Sequence, residues 1–552
     1  MATRVLVDGI DYRNAFWFPR VLGAVTASMQ PPRLVVGLLL VAVLLVAGRL
    51  HDRWREPAIA PGGLLAPAAS PESIAAHSDL LRRALVEYVP AERRPDLQES
   101  RLLEAGAVLE LARSGYRERR AAMLREGGGD AWPSIAESDA RFLEMVERIE
   151  SSRPKGTFEA LVGAVVGAIN RIAKGTLTLR LDEAFGGLGE LFIRVPLATL
   201  RADAGFFVGY GLLFILATSI LGGALARMAA CDFARREKLG VAGAGDFAVA
   251  SWRSLLLASL VPLVLTTVLC LLVLMLGLIM TVPGLDILGA VLYGAALLLG
   301  FLAAFLLLGY AISYPLLVPA VACERCDAGE AQQRAVAYLL ARPLHLAGYF
   351  GLGIVGFAIG YIVISGMAVV TLNLTAALFS LLTTNSAATG LGGFELFALA
   401  PRPPLVHTGT AALAGAMTEA WQSLVIGIVA AWVFSYYYAA TTRIYLLMRH
   451  AVDGEDPVEI WREGMVPGTH IAMPTGPDEP VEPGPGLTER AVQSTMRAIA
   501  AARTVSRPFR TRTEVAEPDA KGSASAPDGD ATGRELGPEL IPEDDRRTGL
   551  RE

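Results

Sequence analysis

Cys323-Glu324-Arg325-Cys326 has the spacing of a zinc or redox site. Zinc takes four ligands, however, and no second C-x-x-C or H-x-H pair accompanies these two thiols. Cys231 falls on the same face by topology and His345 follows in the next segment, so they are the candidates to complete a set; incidental thiols at a helix end are the plainer reading. The only other cysteine is Cys270, and none precedes residue 200, so a disulfide framework is not part of the design. Tyr314-Pro315 and Pro319 form a second feature, because proline can break a helix and a broken helix can line a substrate site. His51, His77, His345, His407, His450 and His470 are scattered. There is no Walker loop, no G-x-S-x-G and no H-E-x-x-H. The sequence therefore assigns no catalytic, cofactor-binding or metal-ligating residue, and the expectation is that the chain is not an enzyme.

The elements that must position these residues are long uncharged runs. Residues 204–226, 254–285, 287–322 and 346–394 contain no Asp, Glu, Lys or Arg. A helical crossing needs roughly 20 apolar residues, so each run is long enough to span a bilayer. The 552 residues are 53% hydrophobic and only 19% charged, and the net charge of −5 gives no overall basicity that points to nucleic acid. The fold class read from this is all-α, a polytopic transmembrane bundle of about six spans.

Residues 1–32 read as an interfacial segment, with aromatics and arginines through Asp11–Arg20 followed by Pro31-Pro32. Residues 33–49, a Leu/Val run between Arg33 and Arg49, read as a retained signal anchor, with a cleaved signal peptide as the alternative. Residues 50–203 form the main extramembrane region, helical on either side of Gly127-Gly128-Gly129. Within it the apolar core 160–169 is too short to cross and is expected to lie on the membrane or pack on the bundle. Residues 204–450 hold five spans, near 205–226, 255–281, 287–312, 346–370 and 421–442. The basic loops around Arg235, Arg236 and Lys238, around Arg325, Arg334 and Arg342, and after Arg443 alternate with loops poor in basic residues. That bias puts them and the C-terminus in the cytoplasm of a plasma membrane; counting the anchor gives six spans with both termini inside and 50–203 outside by helix parity. Residues 451–552 read as a cytoplasmic, largely disordered tail. It contains a basic helix near 488–505, with Arg490, Arg497 and Arg503, which is a candidate contact for anionic lipid headgroups.

The uncharged run at 287–322 would measure about 54 Å as one straight helix, beyond a hydrocarbon core of roughly 30 Å. It must tilt or break, and proline is where the break is expected. Two units look alike: Ala248 to Leu255 and Ala335 to Leu344 each follow a crossing and a charged stretch, as a duplication would produce. Gly356-x-x-x-Gly360 reads as a helix-packing motif rather than a pore lining. Residues 374–384 are too short and polar to span, and read as a re-entrant loop or an outer-surface helix.

Three stretches carry a resemblance. They are Tyr314-Pro315 through Ala322 with Asp327-Ala328 and Arg334 to Arg342-Pro343; Gly222-Gly223-Ala224 with Arg227, Phe233-Ala234-Arg235 and Glu237-Lys238-Leu239; and 436–449 with Val452-Asp453. Over about residues 200–460 the chain resembles a group of uncharacterised multi-pass membrane proteins of planctomycete-type bacteria. It departs from them where Cys323-Glu324-Arg325-Cys326 replaces an acidic-Gly-Ser loop and where Ala331-Gln332-Gln333 replaces polar and aromatic residues. The resemblance implies architecture and source, and no activity. The expected function is a membrane scaffold or accessory subunit that contacts the bilayer and protein partners. The alternative is a permease for a neutral or lipidic solute that uses a broken helix near Pro315.

Overall fold

A computed structural model describes residues 18–55, 59, 63–65, 71–90, 105–127, 132–152, 155–382, 392–397, 399, 409–469 and 471. The N-terminal aromatic stretch before residue 18, the glycine break at 128–129 and the basic segment 488–505 lie outside these residues. Among the described residues the fold is all-α, with no strand. After a short turn at Phe18–Val21 come α1 (Ala24–Ser28) and α2 (Pro31–Trp54), then α3 (Pro71–Tyr88), α4 (Ala105–Gly127) and α5 (Trp132–Ser152). Next are α6 (Thr157–Leu177), α7 (Leu181–Gly189), a π turn at Glu190–Arg194 and α8 (Val195–Ala202). The remainder is α9 (Ala204–Arg235), α10 (Val241–Ala250), α11 (Trp252–Ile279), α12 (Asp286–Glu324), α13 (Ala328–Ala341), α14 (Pro343–Leu382) and α15 (Gly409–Asp453).

Seven of these helices are long and apolar enough to cross a membrane: α2, α6, α9, α11, α12, α14 and α15. Each of the five spans expected from 204 onward is present and longer than expected, and α9, α12 and α15 run on through charged residues at their ends instead of stopping at them. The seventh, α6, reaches 21 residues where the sequence suggested a short apolar core. Arg171 and Lys174 interrupt its apolar composition without interrupting its backbone hydrogen bonds. The expected break near Pro315 is absent, since α12 runs through both Pro315 and Pro319 for 39 residues. A proline inside a helix frees one carbonyl and removes one donor, and close packing can compensate. Here every residue from Leu316 to Glu324 is buried. At about 58 Å this helix exceeds the hydrocarbon thickness and must tilt to fit.

Residues 374–382 are likewise not a separate element but the last turns of α14. Further along the chain, Gly393 and Phe394 fold back on that helix. Asn373 Oδ1 accepts from Gly393 N and Phe394 N, both at 2.9 Å, and its Nδ2 donates to Phe394 O at 2.9 Å.

The repeat suggested by the sequence has a structural counterpart. In each unit a long helix ends at an arginine in the left-handed region, Arg236 (φ 58°) or Arg325 (φ 52°). A short helix follows, then one non-helical residue, then a long helix. Both short helices bury alanines one turn apart, Ala244 and Ala248 in α10 and Ala331 and Ala335 in α13. Each following helix buries its fourth residue beyond the break, Leu255 or Leu346, in the same central cluster.

The bundle is packed through small residues. A Cβ on Gly360 would lie 2.5 Å from the Trp432 ring, one on Gly356 2.6 Å from Tyr436 Oη, and one on Gly37 2.6 Å from Ala431 O. Gly356-x-x-x-Gly360 therefore serves close approach of α14 to α15. The three helices α3–α5 form a cluster of their own, in which Tyr116 and Phe142 stack at 4.2 Å. Its buried Asp139 accepts from Tyr116 Oη at 2.6 Å and Arg120 Nε at 3.1 Å. Exposed pairs such as Glu137–Arg141 and Glu144–Arg148 cover its outer side.

Candidate functional site

The charged residues that flank the uncharged runs gather where α9, α12, α13 and α15 meet. Helix α12 ends in the tetrapeptide that drew attention in the sequence, and the residue at its centre is Glu324, 2% exposed. Burying a carboxylate is costly unless it is paired and hydrogen-bonded. Glu324 Oε1 accepts from Tyr445 Oη at 2.5 Å and from Arg449 Nη1 at 3.4 Å, and Oε2 pairs with Arg334. Arg334, one turn along α13, also pairs with Glu330. Arg449 is itself fully buried and donates through Nη2 to Asp456 O at 3.1 Å and to Glu459 O; its Nε lies 3.5 Å from Glu455 Oε2. Beside them Tyr338 Oη donates to Asp453 Oδ2 at 2.5 Å. Burial, and then the Asp453 carboxylate, hold that hydroxyl well above the ordinary tyrosine value.

The end of α12 exposes four carbonyls with no partner inside the helix. All four are satisfied. Val321 O accepts from Arg325 N at 2.8 Å, Ala322 O from Arg227 Nη1 at 2.9 Å, Cys323 O from Trp461 N at 2.8 Å and Glu324 O from Gly468 N at 3.0 Å. Two of these donors come from the segment that follows α15, which crosses the end of α12 as a strap. Arg227 Nη2 holds the strap at Trp461 O (2.9 Å), and the Trp461 indole lies under the Arg325 guanidinium at 4.4 Å. Cation–π contact of this kind adds about 0.5–1 kcal/mol at an exposed site and about 2 kcal/mol or more when desolvated.

A second cluster ties the N-terminal segment to the same end of the bundle. Arg33, 1% exposed, donates to Ala27 O at 2.8 Å and Met228 O at 2.9 Å and pairs with Asp232 at 3.2 Å. Asp232 also accepts from Gln30 Nε2 at 3.2 Å, and Arg443 Nη1 donates to Arg20 O at 2.8 Å.

The four sequence candidates for a metal set do not assemble. Cys231, Cys323 and Cys326 are buried free thiols, whereas His345 is exposed at the start of α14. Among the described residues no group of three or more His, Cys, Asp or Glu side chains is placed to hold a metal ion. Burial, with Glu330 nearby, pushes the Cys326 thiol up. A thiol kept protonated is a poor nucleophile and a poor ligand. Tyr314-Pro315 lies in continuous helix, with Ser313 and Leu316 buried on either side. Sequence reasoning missed Glu324 as a centre, along with Arg227, Arg334, Tyr445, Arg449 and Trp461. The one available signal was charge directly abutting an uncharged run. What the arrangement does chemically is electrostatic: it fixes helix ends to one another. Comparisons of the chain with protein-family models, curated proteins and solved structures give no match.

Proposed function

We propose that the protein is a non-catalytic scaffold or accessory subunit of a bacterial plasma membrane, with both termini cytoplasmic and with protein partners bound through its extramembrane parts. The observation that carries this reading is where its buried polar groups point. Glu324, Arg227, Arg334, Arg449 and Trp461 contact one another and the carbonyls at the end of α12, so they tie helices together. The separately clustered helices α3–α5, with their charged outer side, supply a compact surface for a partner. Reconstituted into liposomes without partners, the purified protein is expected to move no small solute, and affinity purification from its native membrane is expected to retain a stoichiometric partner. Solute flux by the pure protein would refute the reading.

One observation favours a second reading. The repeated unit of long helix, left-handed arginine, short helix and long helix resembles the parallel duplication of many permeases, whose substrate sites lie between the repeats. Flux of a neutral or lipidic solute in the same liposomes, abolished by bulky substitution between the repeats, would establish it.

A further inference from the structure

Counted as a crossing, α6 would reverse the side of everything that follows it. Its attachments argue otherwise. The Asp52 carboxylate, at the C-terminal end of α2, accepts from Phe158 N at 3.0 Å and Glu159 N at 2.9 Å, so α6 starts there. The chain leaving α8 is fixed at the same place. Asp203 lies 3.7 Å from His51 Nε2 and 3.7 Å from Arg55 Nη1, and it caps α9 by accepting from Phe206 N at 2.9 Å. The Phe206 ring in turn sits 4.6 Å from His51.

Between these two fixed points the chain goes out and comes back. It reverses at Leu179, which takes a left-handed conformation (φ 57°), with Arg180 N donating to Gly175 O at 2.8 Å. The return leg then retraces α6. A Cβ on Gly187 would lie 2.8 Å from Ile172, Arg171 pairs with Glu190, and Val195 shares an apolar cluster with Ala160. The return leg carries Asp182, Glu183, Glu190, Arg194 and Arg201, too many ionised groups for a crossing. Yet it exposes the large apolar side chains of Leu181, Phe185, Phe192, Ile193 and Leu197, as α9 exposes Val208 and Leu212. Large apolar side chains interleaved with Arg–Glu pairs suit a segment seated among acyl chains close to the headgroups.

We propose that residues 157–202 form a re-entrant hairpin, which enters the leaflet on the side where α2 ends, packs its Phe185–Phe192–Ile193 flank against lipid acyl chains and returns without crossing. Seven apolar helices then make six crossings, an even number, as the Arg33–Asp232 pair requires by holding the start of α2 at the basic end of α9.

The test uses the full chain in vesicles of both orientations, with a membrane-impermeant maleimide and the wild type as background. Arg53→Cys and Arg201→Cys, both at exposed positions, are expected to label from the same face, Arg236→Cys from the opposite face, and Leu179→Cys never from the Arg236 face. Trp54→Cys and Ala202→Cys give the same readout should either first variant fail to fold. An environment-sensitive fluorophore on Phe192→Cys is expected to emit as in hydrocarbon and to be quenched by a lipid-borne quencher. Labelling of positions 53 and 201 from opposite faces, labelling of 179 from the Arg236 face, or water-like emission at 192 would each overturn the proposal.

Discussion

Replacing Glu324 with Gln isolates the charge at the centre of the buried cluster while keeping its shape. Removing one partner of a buried ion pair costs about 3–5 kcal/mol, because the survivor keeps its charge without a counter-ion. Glutamine still accepts from Tyr445, and Arg449 keeps the carbonyls of Asp456 and Glu459 and the Glu455 carboxylate at 3.5 Å. The loss is therefore expected at the lower end, about 3 kcal/mol. At about 1.4 kcal/mol per decade that lowers the folded-to-unfolded ratio roughly a hundredfold. The protein carries its own reporter: Cys231, Cys323 and Cys326 are buried, so a thiol-reactive dye brightens as mixed-micelle denaturation exposes them. Arg449→Met should cost a similar amount, and the double variant less than the sum, because the Glu324–Arg449 pair is then lost only once. A loss below about 0.5 kcal/mol for E324Q, the range of ordinary surface changes, would refute the cluster as a tie between helices.

Other expectations follow from the same geometry. Gly360→Ala, whose Cβ would meet Trp432 at 2.5 Å, should destabilise by about 1–3 kcal/mol, whereas Gly209→Ala, with open space, should be neutral or slightly stabilising; denaturant midpoints compare them. Trp461→Ala removes the indole under Arg325 and loosens the strap. Proteolysis between 454 and 468 and maleimide labelling of Cys326 should both rise, with no change at Cys270. The raised Cys326 thiol gives a pH signature. Above the ordinary value of 9.0 the unfolded chain ionises this thiol while the folded chain keeps it neutral, so stability falls as pH rises. Cys326→Ala should flatten that fall relative to wild type, and parallel pH profiles of the two would contradict the burial argument.

The helices from residue 204 onward were legible because absence of charge over more than one bilayer width is a signal carried by each segment alone. Their ends were not, because Arg235, Glu324, Arg443 and Arg449 continue their helices with support from partners elsewhere in the chain. The same reason hid α6: its cap, Asp52, is remote in sequence, and Arg171 and Lys174 disguise a continuous helix. Reading Pro315 as a break failed because the compensating contacts around Leu316–Glu324 are tertiary. The C-x-x-C spacing pointed to the right place for the wrong chemistry, since the residues between the thiols, Glu324 and Arg325, make the contacts. The packing role of Gly356 and Gly360 could be read because it rests on local spacing.

The strap over α12 bears on how the molecule matures. The ribosome releases Cys323 and Glu324 long before it makes Trp461 and Gly468, so a nascent chain holds a carboxylate and two helix-end carbonyls in an unfinished state until α15 has inserted. A chain truncated just after that last span would keep every apolar helix and still lack the donors that close the structure. Such a product should therefore be less stable than the full chain, although its apolar helices are complete.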